Sequence, residues 1–139
     1  MKKIYFACSI RGGRDDQLIY QELVNIIKTN AELLSELFSD KNLSDQGHTD
    51  MTDTEIWKRD LDWLKGANGM IAEVTSPSLG VGYEIAKAEE WGVKVLALYR
   101  PKKGKRLSAM IAGSPNLKVV EYQSPSEVNQ IIKDFITAL

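Results

Sequence analysis

"KIYFACSIRGGRDDQ", residues 3–17, decides the fold. Residues 3–9 are short, apolar and aromatic, and they stop at "RGG", so they read as a strand. Residues 14–29 read as a helix. Ile19, Leu23, Ile26 and Ile27 recur at helical spacing, and Asp15 and Asp16 fall in the first turn, where the helix dipole favours negative charge.

The alternation continues downstream. "AELLSEL" is a short second strand, and residues 39–51 form a polar loop, long for a compact domain. "TDTEIWKRDLDWLKGA" is a helix. Thr52 and Glu55 make a capping box, and Met51 with Ile56 fits a hydrophobic staple. "GMIAEV" is a strand, "GYEIAKAEEWG" a helix closed by Gly92, and "KVLALY" a strand apolar enough to be covered on both faces. A short helix, "RLSAMIAG", and a last strand, "LKVVEY", precede "SPSEVNQIIKDFITAL". That final helix carries a capping box (Ser124, Glu127), Pro125 at its first position and an apolar stripe of Val128, Ile131, Ile132 and Phe135.

A βαβα series of five strands predicts one α/β domain over residues 1–139, an open parallel sheet of order 2-1-3-4-5 with helices on both faces. Ligands of such sheets bind beyond the carboxyl ends of the strands, where the order reverses. The loops after strands one and three, "SIRGGR" and "TSPSLGVG", are therefore the places to look.

Bulk properties narrow the function. A net charge of −1 leaves no broad basic surface for a nucleic acid polymer, and no apolar run is long enough to span a bilayer. "MKKIYFACSI" has a basic tip, but Arg11 interrupts its apolar run, so a strand is expected rather than a signal peptide. The single cysteine, Cys8, suits a reducing cytoplasm. One cysteine and one histidine, His48, argue against a zinc site and a Cys-His nucleophile; no metal and no cofactor is expected.

Three features carry chemistry. "SIRGGR", Ser9–Ile10–Arg11–Gly12–Gly13–Arg14, joins a hydroxyl, arginines and glycines just before a helix, which suits a phosphate. It lacks the lysine of a P-loop and the dinucleotide fingerprint, and a solvated glycine turn is the plain alternative. "SLGVGYE", residues 78–84, places Glu84 early in a helix, on the stripe Val81, Glu84, Ile85, Ala88. It is either a stabilising N-terminal glutamate or a carboxylate aimed into a cleft. Asp60 shares a face with Ile56, Trp63 and Leu64; alone it reads as a buried hydrogen bond or ion pair. Two inward carboxylates near one cleft point to glycosidic bond cleavage. Tyr5 is either core or cleft. "RPKKGKR", residues 100–106, reads as a solvated loop, and Trp57 or Trp63 as a pocket wall.

Together, "YFACSIRGGRDDQ", "RDLDWL", "AEVTSPSLGVGYE" and "RPKKGKRLSAMIAG" resemble the 2'-deoxynucleoside 5'-phosphate N-hydrolases, relatives of the nucleoside 2-deoxyribosyltransferases, from strand one to about Gly113. The resemblance implies a flavodoxin-like, Rossmann-like fold and a homodimer that hydrolyses the N-glycosidic bond of a nucleoside 5'-monophosphate. It implies Glu84 as nucleophile, Asp60 as the carboxylate that positions substrate and protonates the departing base, and Tyr5 as the residue that orients sugar and nucleophile. Ser9, Ile10, Arg11, Gly12, Gly13, Ser78 and Gly80 fall on the phosphate and sugar cradle. Ser108 and Met110 fall where the neighbouring subunit's site is completed. The transferase relatives carry an acid near position 78, and an acid repels phosphate, so Ser78 points to a monophosphate hydrolase. A base-exchanging transferase and a non-catalytic nucleotide sensor are the rival readings.

Overall fold

The computed structural model describes residues 1–10, 13–35 and 51–139. Arg11, Gly12, His48 and the rest of the segment 36–50 lie outside the described residues, and with them the end of the second predicted strand and almost all of the predicted polar loop.

Five parallel strands form one sheet of order β2-β1-β3-β4-β5. They are β1 (Lys3–Ala7), β2 (Glu32–Leu34), β3 (Gly69–Glu73), β4 (Lys94–Tyr99) and β5 (Leu117–Glu121). The described helices are α1 (Arg14–Asn30), α2 (Asp53–Gly66), α3 (Leu79–Glu90), the single turn α4 (Ala109–Ala112) and α5 (Asn129–Thr137). The predicted order and the helices on both faces are as observed.

The alternation of β1 sorts the two cores. Ile4, Phe6 and Cys8 pack with Leu23 and Ile27 of α1 and Ile132 of α5 on one face. Tyr5 and Ala7 pack with Leu61 and Leu64 of α2 and Val81 and Ile85 of α3 on the other. β3 is buried throughout, as a central parallel strand must be. At its start, a Cβ on Gly69 would lie 2.7 Å from a Leu139 methyl, so glycine there lets that side chain seat closely on the sheet.

Two local expectations change. The predicted C-terminal helix begins instead as a 3-10 turn, Pro125–Val128, and only then becomes α5; the capping box of Ser124 and Glu127 closes that turn. The predicted helix from Gly82 begins earlier, at Leu79, so Gly80 and Gly82 lie within its first turns rather than in a loop before it. At the other end Gly92, at φ +72°, takes the left-handed conformation that terminates α3 as predicted.

Candidate active site

A cleft of about 800 Å³ opens between α2 and α3, over the carboxyl end of β1. That volume suits a small ligand (roughly 300–1,000 Å³ is usual). It stands at the β1/β3 reversal, where the topology places ligand sites.

The helix carrying Glu84 starts with its own cap. Ser78 Oγ accepts from the Val81 N–H at 3.3 Å. No acidic residue lies in the first turn of α3; Glu84 comes in the second, where the dipole's influence has faded. The reading of Glu84 as a helix-end stabiliser is therefore replaced. Val81, Ile85 and Ala88 on its stripe are buried against the sheet, which turns Glu84 inward, to the cleft wall. There the Tyr5 hydroxyl donates a hydrogen bond to Glu84 Oε2. Tyr5 is buried, and the pleat of β1 sends it to the α2/α3 face. A residue that reads equally as core or cleft is both: its ring packs, and its hydroxyl orients a carboxylate.

The glycines of α3 raise a question of cost. Glycine inside a helix is less favourable than alanine by about 0.5–1 kcal/mol. Yet a Cβ on Gly82 would meet nothing within 4 Å, and one on Gly80 only Ser78 Oγ at 3.9 Å. Packing within this chain does not require them. Gly80 borders the cleft, and its missing side chain keeps that wall low.

Asp60 lies across the cleft on α2, buried, with the Arg59 Nε–H donating to Oδ1 at 3.0 Å. Arg59 also stacks on Trp63, 4.7 Å from the ring centroid. Trp57, not Trp63, lines the cleft; its indole N–H donates to the Tyr83 hydroxyl at 3.2 Å.

Ser9 and Ile10 line the cleft beyond β1, Ser9 being buried. Gly13 is the N-cap of α1, with no side chain to cap it and open space where a Cβ would stand. The first N–H groups of a helix lack intrahelical partners and favour anions. Arg11 and Gly12, predicted for the same cradle, lie outside the described residues. Ser108 and Met110 do not line this cleft. Ser108 caps α4, accepting from the Met110 N–H at 3.2 Å, and Met110 is 81% exposed.

The sequence reading missed a buried ionic cluster behind the cleft, on the α1 face. Glu73 ends β3 at 0% exposure. Its carboxylate accepts from the Thr75 N–H (2.7 Å), Thr75 Oγ1 (3.0 Å), Arg100 Nε (3.3 Å) and the Tyr122 hydroxyl. Arg100 also binds Asp16 of α1 at 2.5 Å, and Asp16 accepts from Ser76 Oγ at 3.0 Å. The cluster thus joins the start of α1 to the loop leading into α3, whose Pro77 and Ser78 border the cleft. Burial alone would raise the Asp16 pKa, but the bonds from Arg100 and Ser76 and the charges of Arg100 and Lys102 outweigh it and hold it below the ordinary range. Burial, then the charge of Glu73, raises the Tyr122 hydroxyl; burial, then Glu73, Glu84 and Asp16, raises the Cys8 thiol, which does not suit it as a nucleophile. Arg100 must be removed from the predicted solvated loop, whereas Lys102, Lys103, Lys105 and Arg106 are exposed as expected. The available signal was a glutamate inside the apolar run "GMIAEV".

Among the described residues no group of histidine, cysteine, aspartate and glutamate could hold a metal ion, and no helix is long and apolar enough to cross a membrane.

The family model described as nucleoside 2-deoxyribosyltransferase matches residues 4–117. A protein of Tetraodon nigroviridis named 5-hydroxymethyl-dUMP N-hydrolase is 44% identical over 138 residues, 97% of each chain. A protein of Nematostella vectensis named putative 2'-deoxynucleoside 5'-phosphate N-hydrolase 1 is 43% identical, over 99% of this chain and 96% of its own. Among solved structures, the 2-deoxyribosyltransferase of Bacillus psychrosaccharolyticus superposes with a TM-score of 0.68 at 16% identity, over 91% of this chain and 90% of that one, a likeness of fold.

Proposed function

The chain belongs to the nucleoside 2-deoxyribosyltransferase family, and from that premise we propose that it hydrolyses the N-glycosidic bond of (2'-deoxy)nucleoside 5'-monophosphates to free base and (2-deoxy)ribose 5-phosphate. The observation that carries the reading is the Tyr5–Glu84 hydrogen bond in a cleft whose opposite wall holds Asp60.

In this mechanism Glu84 attacks C1' of the sugar as the bond from C1' to the base nitrogen breaks. Positive charge develops on the sugar in the transition state, and the carboxylate beside it lowers that energy. Tyr5 holds Glu84 in one orientation, which reduces the entropy lost on reaching the reactive geometry. Asp60, fixed by Arg59, orients the substrate and passes a proton taken from solvent water to the departing nitrogen. Water then adds at C1' and releases Glu84, leaving a hydroxyl on the sugar and a proton for solvent. Two easier steps replace one difficult one.

The 5'-phosphate goes to Ser9, Ile10 and Gly13, which precede α1, and to Ser78, which caps α3, joined by Arg11 and Gly12. Ser78 accepts a backbone hydrogen bond as cap, so its own proton is available to a phosphate oxygen. Base release measured by chromatography is the test, on deoxy- and ribonucleoside monophosphates with the matching nucleosides as controls. Release from monophosphates alone is expected. Base exchange between unphosphorylated deoxynucleosides at a higher rate would establish the transferase instead, and nucleotide binding without any release the sensor.

A second copy of the chain completes the site. Ser108 and Met110 stand outside their own cleft, and Leu79 at the cleft rim is 97% exposed. Exposed apolar side chains beside a site mark a contact surface. Light scattering on the purified protein is expected to return twice the 15.6 kDa chain mass, and a monomer at assay concentration would refute the shared site.

A further inference from the structure

Resting on the hydrolase reading, we propose that Trp57 is the side chain that stacks on the nucleotide base and ranks the bases the site accepts. In a displacement at C1', nucleophile and leaving group stand on opposite sides of the carbon. Glu84 comes from α3, so the base departs toward α2, where Asp60 waits. Side chains three and four positions apart share a helix face. Ile56 and Trp57 lie four and three residues before Asp60, one turn away, and both line the cleft. The base is therefore carried against this turn of α2.

The tryptophans divide by what covers them. Arg59 lies over the Trp63 ring at 4.7 Å, and Lys65 and Lys87 lie over Trp91 at 5.5 and 5.7 Å. Trp57 is 53% exposed at the cleft. Its one polar atom is engaged by Tyr83, which follows the line of α3 next to Glu84. That hydrogen bond spans from α2 to α3 and fixes the indole plane before any ligand arrives. A fixed aromatic face suits a flat heterocycle, because stacking then costs little side-chain entropy. It carries no donor or acceptor code for one base. It ranks bases by stacking area, so purines gain more than pyrimidines.

The test uses binding in the full chain carrying Glu84→Gln, which removes turnover. Calorimetry compares a purine and a pyrimidine deoxynucleoside monophosphate with 2-deoxyribose 5-phosphate, which has no base. Adding Trp57→Ala is expected to weaken both nucleotides by roughly 5- to 150-fold, the purine more, and to leave the sugar phosphate unchanged. Trp57→Phe, which keeps an aromatic face, is expected to retain most of the affinity. Equal weakening of all three ligands would show a merely structural role and overturn the proposal, as would no weakening of any. The hydrolase reading fails separately. If the wild-type protein releases no base while Trp57→Ala still weakens nucleotides selectively, the stacking residue stands and the chemistry does not.

Discussion

Glu84→Gln lowers base release by roughly 10³- to 10⁶-fold, the scale of loss when a nucleophile that acts with partners is removed. The amide has nearly the shape of the carboxylate and can still receive the Tyr5 hydroxyl on its oxygen, so the fold and the cleft persist. What is lost is the electron pair that bonds to C1' and the negative charge beside the developing cation. The measurement is a single-turnover assay with excess enzyme, followed by calorimetry to show that substrate still binds. Activity within tenfold of wild type would remove Glu84 from the chemistry. Tyr5→Phe, on the same assay, isolates the orienting bond. A hydrogen bond to a charged group contributes about 1.5–3 kcal/mol, or roughly 10- to 150-fold in rate if all of it acts in the transition state.

Arg100→Met unfolds the protein more easily by about 3–5 kcal/mol, the scale for removing one partner of a buried pair. The methionine fills much of the space but leaves Glu73, fully buried, with hydroxyl and amide donors and no cation, and releases Asp16 from its 2.5 Å contact. Guanidinium unfolding reads the loss, and a change under 1 kcal/mol would show that the cluster is not a structural tie. The acid side gives a second readout. The Asp16 carboxyl is held below its unfolded value, so its contribution is fully present above that unfolded value, near 3.9, and fades as pH falls through the lower folded one. Wild type should lose stability over that interval, and the Arg100→Met protein should lose less, having less there to lose.

These two results draw on different parts of what was readable in the chain. The parallel sheet followed from alternation, because a parallel strand needs a crossover and those through α1, α2 and α3 carry helical stripes; the crossover from β4 to β5 holds only the single turn α4, and alternation alone does not set the strand order. Tyr5 and Glu84 lie 79 positions apart, yet both came into view, one by its place on a strand ending at a glycine loop and the other as a carboxylate on an apolar stripe. Their contact is implied by the family resemblance; the residues alone do not show it, since it depends on which face of β1 meets α3. The glycines of "SLGVGYE" were misplaced for a simple reason. Glycine pairs usually mark turns, and here Ser78, a strong cap two residues earlier, starts the helix in spite of them. The cluster of Asp16, Glu73, Arg100 and Tyr122 escaped because its members come from four separate segments, and only Glu73, set in an apolar run, stands out alone. Arg100 in particular opens a run of lysines, and only its place directly after β4 sets its buried guanidinium apart from the solvated neighbours that follow. The role proposed for Ser108 and Met110 would belong to a surface, and a single chain's periodicity says nothing of what meets it.

The place of β1 also governs how the molecule comes into being. It is made before both strands it pairs with, yet it ends up inside the sheet, with Leu33 beside Ile4 on one side and Gly69 on the other. As the polypeptide leaves the ribosome, β2 can pair with β1 after some thirty residues, but that pair alone is marginal. The other edge of β1 has no partner until β3 has been synthesised, and the face that carries Tyr5 is not fully covered until α3 follows. For much of its birth, therefore, the strand that carries Tyr5 is an open apolar edge. Such an edge invites association with other nascent chains, and a cell that makes this protein quickly has most need of chaperones at that stage.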